Sequence, residues 1–406
     1  MTQEPSTGRA VSPQRIGTSA AFLAIMATGY AVYAIDRTVL SSVLAPLSSS
    51  LSLTNSEIGL VSAAQYIGVT CIVFIAGYLS DRYGRWPVII SGVLVFTIFT
   101  FLIGFSTNFA EVFMLRLISG LGEGAFWPVA MASVANYFKG RKGLALGIFY
   151  VGFDAGSIAG LSIGGVAYSL SDSWRPAFFY APLLGLAVMA ATLLAWRRLP
   201  TAGAGSGGIR LGREALQLLR RRNVIVIMAF AFLATWASVW QTAFLPYYFF
   251  KVMHFTVLTS ALLSSLVTAA GALGKVTIGG ISDSVKRNRL LALSALATLA
   301  FYGLFFFASF NFALDLVWAL SMGFFSASIF PVMQGLMTDT AGESTAGSAL
   351  GLSTSTQSVA TIFSTIIAAS LFTLGVGRAL ALDAMIPMGL AFVLALFLRE
   401  TRSAKA

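Results

Sequence analysis

Apolar residues form twelve long runs along the chain, separated by much shorter polar stretches. The runs are about as long as the roughly 20 residues that an α-helix needs to cross the hydrocarbon core of a bilayer. This pattern predicts an all-α membrane protein with twelve transmembrane helices. The predicted spans are 18–44, 54–79, 87–106, 109–138, 142–169, 175–196, 223–250, 257–281, 289–309, 312–338, 345–374 and 377–398.

One polar stretch, at 197–222, is far longer than the others. It begins with Arg197 and Arg198, continues as TAGAGSGG, and ends in a basic run up to Arg222. Small flexible residues are typical of a linker, and a basic run favours the surface of an anionic leaflet. We therefore expect an N-terminal six-helix bundle at 1–196, a cytoplasmic basic linker at 197–222 and a C-terminal six-helix bundle at 223–406.

The two halves of the sequence resemble each other. GYLSDRYGR at 77–85 aligns with GGISDSVKR at 279–287, an offset of 202. GLGEGAFWP at 120–128 aligns with GFFSASIFP at 323–331, an offset of 203. Two nearly equal offsets indicate an internal duplication. Duplicated membrane proteins of this kind bind their substrate near the midplane, between the halves, and expose it alternately to each side.

Composition and charge narrow the choice of function. Hydrophobic residues make up 57% of the chain and charged residues 10%, against about 25% charged residues in soluble domains. The net charge of +11 would suit a nucleic-acid partner, but the charge is unevenly distributed. With the N-terminus inside, 20 of the 26 Lys and Arg residues fall on the inner side, three on the outer side and three within spans. This is the positive-inside pattern, so we expect a membrane partner, no nucleic acid, and both termini in the cytoplasm.

Residues for enzyme or metal chemistry are scarce. The chain has one His and one Cys, and no Gly-rich loop precedes a Lys-Ser or Lys-Thr pair. We therefore expect no metal site, no enzymatic activity and no cofactor other than a coupling proton.

The stretch Gly77–Arg85 resembles the GxxxD(R/K)xGR signature of the major facilitator superfamily. Three further stretches, followed by Trp174-Arg175, are similar to the anion:cation symporters, a group with sialin, the vesicular glutamate transporters and sugar-acid transporters. These stretches are 34–47, 116–128 and 140–165. The resemblance is good as far as about Tyr180 and only generic in the second half. It implies the major facilitator fold, with two pseudo-symmetric six-helix halves, and transport of an organic anion.

The signature and its weaker second copy predict a cytoplasmic gate. A carboxylate at a helix end can pair with neighbouring arginines in one conformation and release them in another. A simpler interpretation is a charge cluster that only fixes topology. The predicted gate residues are Asp81, Arg82, Arg85, Asp283 and Arg287.

Ionisable residues inside predicted spans are candidates for function, because each costs about 2.5–3.5 kcal/mol to insert at the bilayer centre. We expect Arg37 and Arg116 to bind the carboxylate of the substrate, since guanidinium is a forked and permanently charged donor. Glu123 is the expected proton carrier, and Asp36 is either a second proton site or a partner for Arg37 or another helix. The alternative for Arg116 and Glu123 is a fixed structural salt bridge.

Further residues at similar depth complete the predicted site. Asp154 is a candidate for proton coupling, or a carboxyl group that hydrogen-bonds a neighbouring helix. Lys275 is a candidate third positive charge for the anion, or a lysine that extends its ammonium group to the membrane surface. Tyr33, Tyr66 and Gln241 are expected to line the substrate cavity.

These features together predict a proton-coupled symporter of a small organic anion, such as a sugar acid. We expect it to act as a monomer in a bacterial-type cytoplasmic (inner) membrane. Lys275 keeps a monocarboxylate transporter as an alternative. A proton-coupled exporter is a second alternative, although the fifth span lacks the proline that drug:proton antiporters tend to have in Gly-Pro-x-x-Gly-Gly. A sensor that has lost transport is a third, and the short linker and tails count against it.

Overall fold

The computed structural model describes residues 13–138, 141–195, 218–282, 284–308, 311–342 and 345–398. Within these ranges, twelve helices are long and apolar enough to cross a membrane, which confirms the predicted fold class. A short helix, Leu245–Lys251, follows the seventh helix, and a 3₁₀ turn, Leu371–Leu374, follows the eleventh. The long helices are α1 (Pro13–Ser50), α2 (Asn55–Tyr83), α3 (Arg85–Ile103), α4 (Phe109–Tyr137), α5 (Lys142–Ser171), α6 (Arg175–Ala195), α7 (Arg222–Ala243), α8 (Val257–Ile281), α9 (Arg287–Phe307), α10 (Phe312–Ala341), α11 (Ala346–Ser370) and α12 (Val376–Leu396).

The duplication is visible in how the helices begin. Thr54 caps α2 through a capping box, and Thr256, which corresponds to Thr54 at the first offset, caps α8 with its side chain. Asn108 accepts the backbone N–H of Glu111 at the start of α4, and Asn311 caps α10 in the same way at the second offset. Side-chain caps satisfy N–H groups that a helix leaves free in its first turn. Both offsets found in the sequence therefore relate equivalent structural positions.

Glycines allow close packing within each half at matching positions. A Cβ atom on Gly120 of α4 would lie 2.1 Å from the carbonyl oxygen of Gln65 in α2. In the second half, a Cβ on Gly323 of α10 would lie 2.6 Å from the carbonyl oxygen of Val267 in α8. In the same manner Gly156 of α5 packs directly on the backbone of α1. Only the absence of a side chain lets these backbones approach so closely.

The two halves meet at one end of the bundle, which we call the far end because it carries residues 51–54 and 252–256. Gly59 of α2 packs on the backbone of Ile366 in α11, so that an added Cβ would lie 3.1 Å away. The hydroxyl groups of Ser162 in α5 and Ser265 in α8 are 3.3 Å apart. Lys251 reaches Ser49 at 3.5 Å. The far end is therefore closed.

The opposite end, which we call the motif end, carries residues 77–85 and 286–287. There Gly77 of α2 and Gly280 of α8 have no heavy atom within 4 Å of the position of an added Cβ. Asp81 and Arg82 are exposed. From these positions and the closed far end we infer a cavity between the halves that opens toward the motif end. Of the predicted linker at 197–222, residues 197–217 lie outside the described residues.

Candidate functional site

The middle of α4 is brought against two neighbouring helices by the sequence GLGEG at 120–124. Gly120 and Gly124 face the backbone of α2, and Gly122 faces α3, where an added Cβ would lie 2.7 Å from the carbonyl oxygen of Gly92. Glu123 lies between these glycines, at the midpoint of α4, and is fully buried. The glycines therefore place a carboxyl group inside the bundle at the middle of the helix.

Arg37 of α1 forms an ion pair with this carboxyl group. Its Nε atom lies 2.9 Å from Oε2 of Glu123. The guanidinium group lies between two aromatic rings, 4.4 Å from the ring centroid of Tyr33 and 4.7 Å from that of Tyr66. The Arg37 side chain remains 17% exposed, whereas Glu123 is not exposed. Arg37 is therefore the member of the pair that faces the cavity. The two aromatic rings hold its guanidinium group in place, because aromatic faces attract cations.

Gln65 of α2 links Glu123 to a second acid. Its Nε2 atom donates hydrogen bonds to Oε1 of Glu123 at 2.7 Å and to Oδ2 of Asp36 at 2.9 Å. An amide nitrogen carries two hydrogens, so both bonds can form together. The Oε1 atom of Gln65 has no hydrogen-bond partner within the described part of the chain. The contact between Gly120 and the Gln65 backbone holds this amide between the two acids.

Asp36 faces the interior of the first half. Its carboxylate accepts hydrogen bonds from Ser119 Oγ at 2.6 Å and from the hydroxyl group of Thr100. Only 3% of its surface is exposed. Neighbouring residues point about 100° apart around a helix, which is why Asp36 and Arg37 have different partners.

Arg116 lies deeper than we expected from the sequence. Its Nη1 atom donates to the backbone carbonyl of Asp36 at 3.3 Å, and the residue is 2% exposed. The structure therefore does not bring Arg116 to the cavity beside Arg37. The cluster contains two acids and two arginines, so the formal charges of its ionised members sum to zero. Buried ions are tolerated when they are compensated in this way.

Asp154 and Lys275 form a second ion pair, and this pair joins the two halves. Nζ of Lys275 in α8 lies 2.5 Å from Oδ1 of Asp154 in α5. The Lys275 side chain is 33% exposed and that of Asp154 is 14% exposed. Neither of the two sequence interpretations of Lys275, a free positive charge or a lysine extended to the surface, anticipated this partner.

Gln241 of α7 belongs to an uncharged network in the second half. Its Nε2 atom donates to Tyr302 Oη at 2.7 Å, and its Oε1 atom accepts from Ser326 Oγ at 3.1 Å. The predicted cavity residue is therefore already engaged on both sides of its amide. Under the duplication, Ser326 of α10 occupies the position that corresponds to Glu123 of α4.

A model of the family described as the Major Facilitator Superfamily matches residues 26–322, which is more than half of the 406-residue chain. The chain belongs to this superfamily. It is therefore a multi-pass membrane transporter and not an enzyme. Within the described residues, no group of three or more His, Cys, Asp or Glu side chains is arranged to hold a metal ion.

Several relatives in this superfamily are named as transporters of organic acids. Over 368 residues the chain is 28% identical to a probable sulfoacetate transporter of Cupriavidus necator, in an alignment that covers 84% of each protein. Over 298 residues it is 26% identical to the 4-hydroxybenzoate transporter of Pseudomonas aeruginosa, in an alignment that covers 64% of this chain and 65% of the relative. The crystal structure of a D-xylose–proton symporter superimposes with a TM-score of 0.78 at 17% identity, over 94% of this chain and 98% of that one. The last similarity establishes the major facilitator fold.

Among the described residues, the major facilitator signature at the motif end makes no hydrogen bond or ion pair with the other half. Asp81 and Arg82 are exposed, whereas Arg85 is 8% exposed and its Nη1 atom lies 3.5 Å from the carbonyl oxygen of Ala132, within the same half.

The second copy of the signature also forms a contact within its own half. Arg287 donates from Nη1 to Oδ2 of Asp339 at 2.6 Å and from Nε to the carbonyl of Ser282. Asp283, the other predicted gate residue of this half, lies outside the described residues. The gate role of these residues remains a prediction about the other conformation of the transporter.

The sequence interpretation missed a buried carboxyl group in the second half. Asp383 of α12 is 4% exposed, with Oδ1 2.7 Å from Trp236 Nε1 and Oδ2 3.1 Å from Ser364 Oγ. The Ser364 hydroxyl also lies 3.1 Å from the carbonyl of Trp236, and its single hydrogen can serve only one acceptor. A proton on Asp383 would let all three contacts form. An acid within an apolar span was the available signal.

Proposed function

We propose that this transporter is a proton-coupled symporter of a small organic anion. In this proposal Arg37 binds the carboxylate of the anion and Glu123 carries the proton. The observation that supports it most directly is the Arg37–Glu123 ion pair at mid-depth, exposed to the cavity only on the arginine side. An arginine that is permanently charged, forked and held between aromatic rings is suited to a carboxylate ligand.

Charge balance explains why anion and proton would travel together. The four ionised residues of the cluster are neutral as a group, so an entering anion would add an uncompensated negative charge in a region of low dielectric constant. A proton on Glu123 restores neutrality. It also weakens the attraction of Glu123 for Arg37, so that the guanidinium group becomes available to the substrate. Binding of the anion and of the proton then favour each other.

The remaining charged residues of the cluster take supporting roles in this proposal. We take Asp36 and Arg116 as a permanently ionised pair, because Asp36 accepts hydrogen bonds from three side chains and Arg116 contacts its backbone carbonyl at 3.3 Å. Arg116 would then stabilise Asp36 instead of contacting the substrate, which revises our expectation from the sequence. Gln65 donates to both acids and thereby connects the permanent pair with the exchangeable one.

We infer the orientation of the chain from its positive charges. The inner side in the predicted topology carries 20 Lys and Arg residues and the outer side carries three, which favours cytoplasmic termini in a bacterial-type inner membrane. The motif end is then the cytoplasmic end, and the conformation described here is open to the cytoplasm. In this state the symporter would release its anion and its proton.

The names of the relatives support a carboxylate or sulfonate substrate. The sulfoacetate and 4-hydroxybenzoate transporters share an acidic group on their named substrates, attached to different skeletons. An acidic group bound by Arg37 is the feature common to both. The ion pair of Lys275 with Asp154 weakens the monocarboxylate alternative, because the basic residue on which it rests is already neutralised.

Reconstituted vesicles test the direction of coupling. The full chain in proteoliposomes, supplied with labelled 4-hydroxybenzoate, glucuronate or sulfoacetate, is expected to accumulate at least one of them when an inward proton gradient is imposed. Accumulation above the equilibrium level supports symport. Expulsion of a preloaded acid by that gradient would identify the exporter alternative, and transport that ignores the gradient would contradict proton coupling.

The variant Glu123→Gln separates proton coupling from anion binding. Glutamine cannot carry the proton but keeps the size of the side chain and resembles its protonated, neutral form. We expect it to lose gradient-driven accumulation while retaining exchange of labelled for unlabelled anion. The matched control is Glu111→Gln, an exposed acid at the start of the same helix. If Glu123→Gln accumulates anion as the unmodified protein does, Glu123 is not the proton carrier.

A further inference from the structure

The Asp154–Lys275 ion pair is the feature that neither proton coupling nor carboxylate binding uses. It connects the middle of α5 in the first half to α8 in the second, and both side chains are partly exposed, Lys275 at 33% and Asp154 at 14%. The single observed contact uses one of three ammonium hydrogens and one of two carboxylate oxygens. Within the described residues, the pair therefore retains both donor and acceptor capacity toward the cavity.

Aromatic rings connect this pair to Arg37. Nζ of Lys275 lies 5.8 Å from the ring centroid of Phe153, whose ring centroid is 6.2 Å from that of Tyr33. The Tyr33 ring is the one on which the Arg37 guanidinium rests, at 4.4 Å. The two ion pairs are thus connected through two rings, of which Tyr33 is buried and Phe153 is half-buried. Phe153 is therefore the ring suited to contact the apolar or ring-shaped middle of a ligand.

We propose that the Asp154–Lys275 pair binds a neutral hydroxyl group at the distal end of the substrate, whose carboxylate is bound by Arg37. The inference rests on the proposed function. A hydroxyl group both accepts and donates one hydrogen bond, so it can accept from Lys275 and donate to Asp154 without separating them. If the substrate lacks this hydroxyl group, it forms no hydrogen bond with the ammonium group of Lys275 or with the carboxylate of Asp154.

The same geometry selects against a second negative charge. A distal carboxylate would approach Lys275 only by also approaching Asp154, and like charges at short range repel strongly in a cavity of reduced dielectric constant. A dicarboxylate would have to displace Asp154 from its partner. The preferred substrate class is therefore a hydroxy acid and not a dianion. Because Arg37 lies in the first half and Lys275 in the second, such a substrate contacts both halves at once.

Two sets of acids that differ only in the distal group test the preference. One set is benzoate, 4-hydroxybenzoate and terephthalate, and the other is hexanoate, 6-hydroxyhexanoate and adipate. Competition against uptake, together with thermal stabilisation of the purified full chain, gives an affinity for each acid. We expect the hydroxy acid to bind at least about tenfold more tightly than both other members of the set that fits the cavity.

Variants of the pair give a sharper result. Asp154→Asn frees the positive charge of Lys275, so the dicarboxylate is expected to become the tightest ligand of its set. The double variant Asp154→Ala/Lys275→Ala removes both groups and is expected to abolish the preference for a hydroxyl group. The swapped variant Asp154→Lys/Lys275→Asp restores an ion pair and serves as the matched control, expected to retain part of that preference.

The outcomes are distinguishable. If none of these acids, and neither glucuronate nor sulfoacetate, is transported or stabilises the protein, the proposed function fails and this inference fails with it. If acids are bound and transported but the hydroxy acid is not preferred, only the inference is overturned. An unchanged ranking in Asp154→Asn would equally overturn it, because freeing Lys275 must alter the response to a second negative charge.

Discussion

Gly120→Ala is the change that most directly connects the packing of this transporter to its candidate site. The added methyl group would lie 2.1 Å from the carbonyl oxygen of Gln65, whereas ordinary contact begins at 3.4 Å. α4 and α2 must therefore separate locally by the difference between these two distances. Alanine favours helix formation over glycine by only about 1 kcal/mol, so propensity does not compensate for overpacking.

The local separation of α4 and α2 is expected to affect the stability of the fold less than it affects anion binding at the site. Overpacking of this kind costs about 1–3 kcal/mol of folding free energy. The same displacement is enough to lengthen the 2.7 Å bond from Gln65 to Glu123 beyond hydrogen-bonding range. Misplacement of a binding group by about 1 Å can reduce function about 100-fold. We therefore expect a modest loss of stability and at least a tenfold loss of anion affinity.

Gly323→Ala is the matched control, because the duplication repeats the same packing without the charged cluster. Its methyl group would lie 2.6 Å from the carbonyl oxygen of Val267, and no acid is present at the equivalent of Glu123. Thermal unfolding in detergent measures stability, and thermal stabilisation by a transported acid measures binding. We expect both variants to lose stability but only Gly120→Ala to lose affinity. Equal loss of affinity in both would refute a local effect on the site.

Arg37→Lys should weaken anion binding about 10–100-fold, because a lysine loses the fork and its contact with two aromatic rings; isotope-labelled uptake measures this. Asp383→Asn should leave folding and transport near normal. Asp383→Ala should cost about 2–4 kcal/mol of stability, because Trp236 and Ser364 each lose a partner. Asp81→Ala should leave anion affinity unchanged but slow transport, because the predicted gate acts when the motif end closes; binding and exchange rates measured separately show this.

Each of these variants has a control or a contradicting result. Arg175→Lys matches Arg37→Lys, since Arg175 also lies over an aromatic ring, at 4.7 Å, but at the far end. Equal loss of uptake in both would mean that stacking matters only for folding. For Asp383, loss of proton-driven transport in the asparagine variant would identify a second proton carrier. For Asp81, a large loss of affinity would contradict a role confined to the gate.

Much of the fold followed from the sequence because membrane insertion imposes strong rules. Apolar length identifies spans, and the two offsets of the duplication relate equivalent positions, as the caps at Thr54 and Thr256 and at Asn108 and Asn311 show. These features depend on local sequence. The conformational state did not follow from the sequence, since the same chain must close either end in turn.

The candidate site was anticipated in its residue types but not in its pairing. The sequence predicted that Arg37 and Arg116 bind the carboxylate together, yet Arg37 pairs with Glu123 and Arg116 contacts the backbone of Asp36. Pairing depends on which helices approach closely, and that is decided by contacts between glycines and backbone that are distant in sequence. The Asp154–Lys275 pair joins two distant parts of the chain. Its pairing could not be predicted from the sequence for the same reason.

The duplication also explains why the two halves can perform different tasks with one architecture. Gln65 and Glu123 correspond to Val267 and Ser326 at the two offsets, while the glycine contact that holds each helix pair is kept. Packing therefore constrains the glycines of both halves, whereas charge is free to differ between them. A charged cluster in both halves would require twice as many ionised groups to be buried, at high cost. The charged cluster is restricted to the first half. The single lysine in the spans of the second half is neutralised by Asp154. Among the described residues, Arg37 is therefore the cation at this depth that is available to an incoming anion.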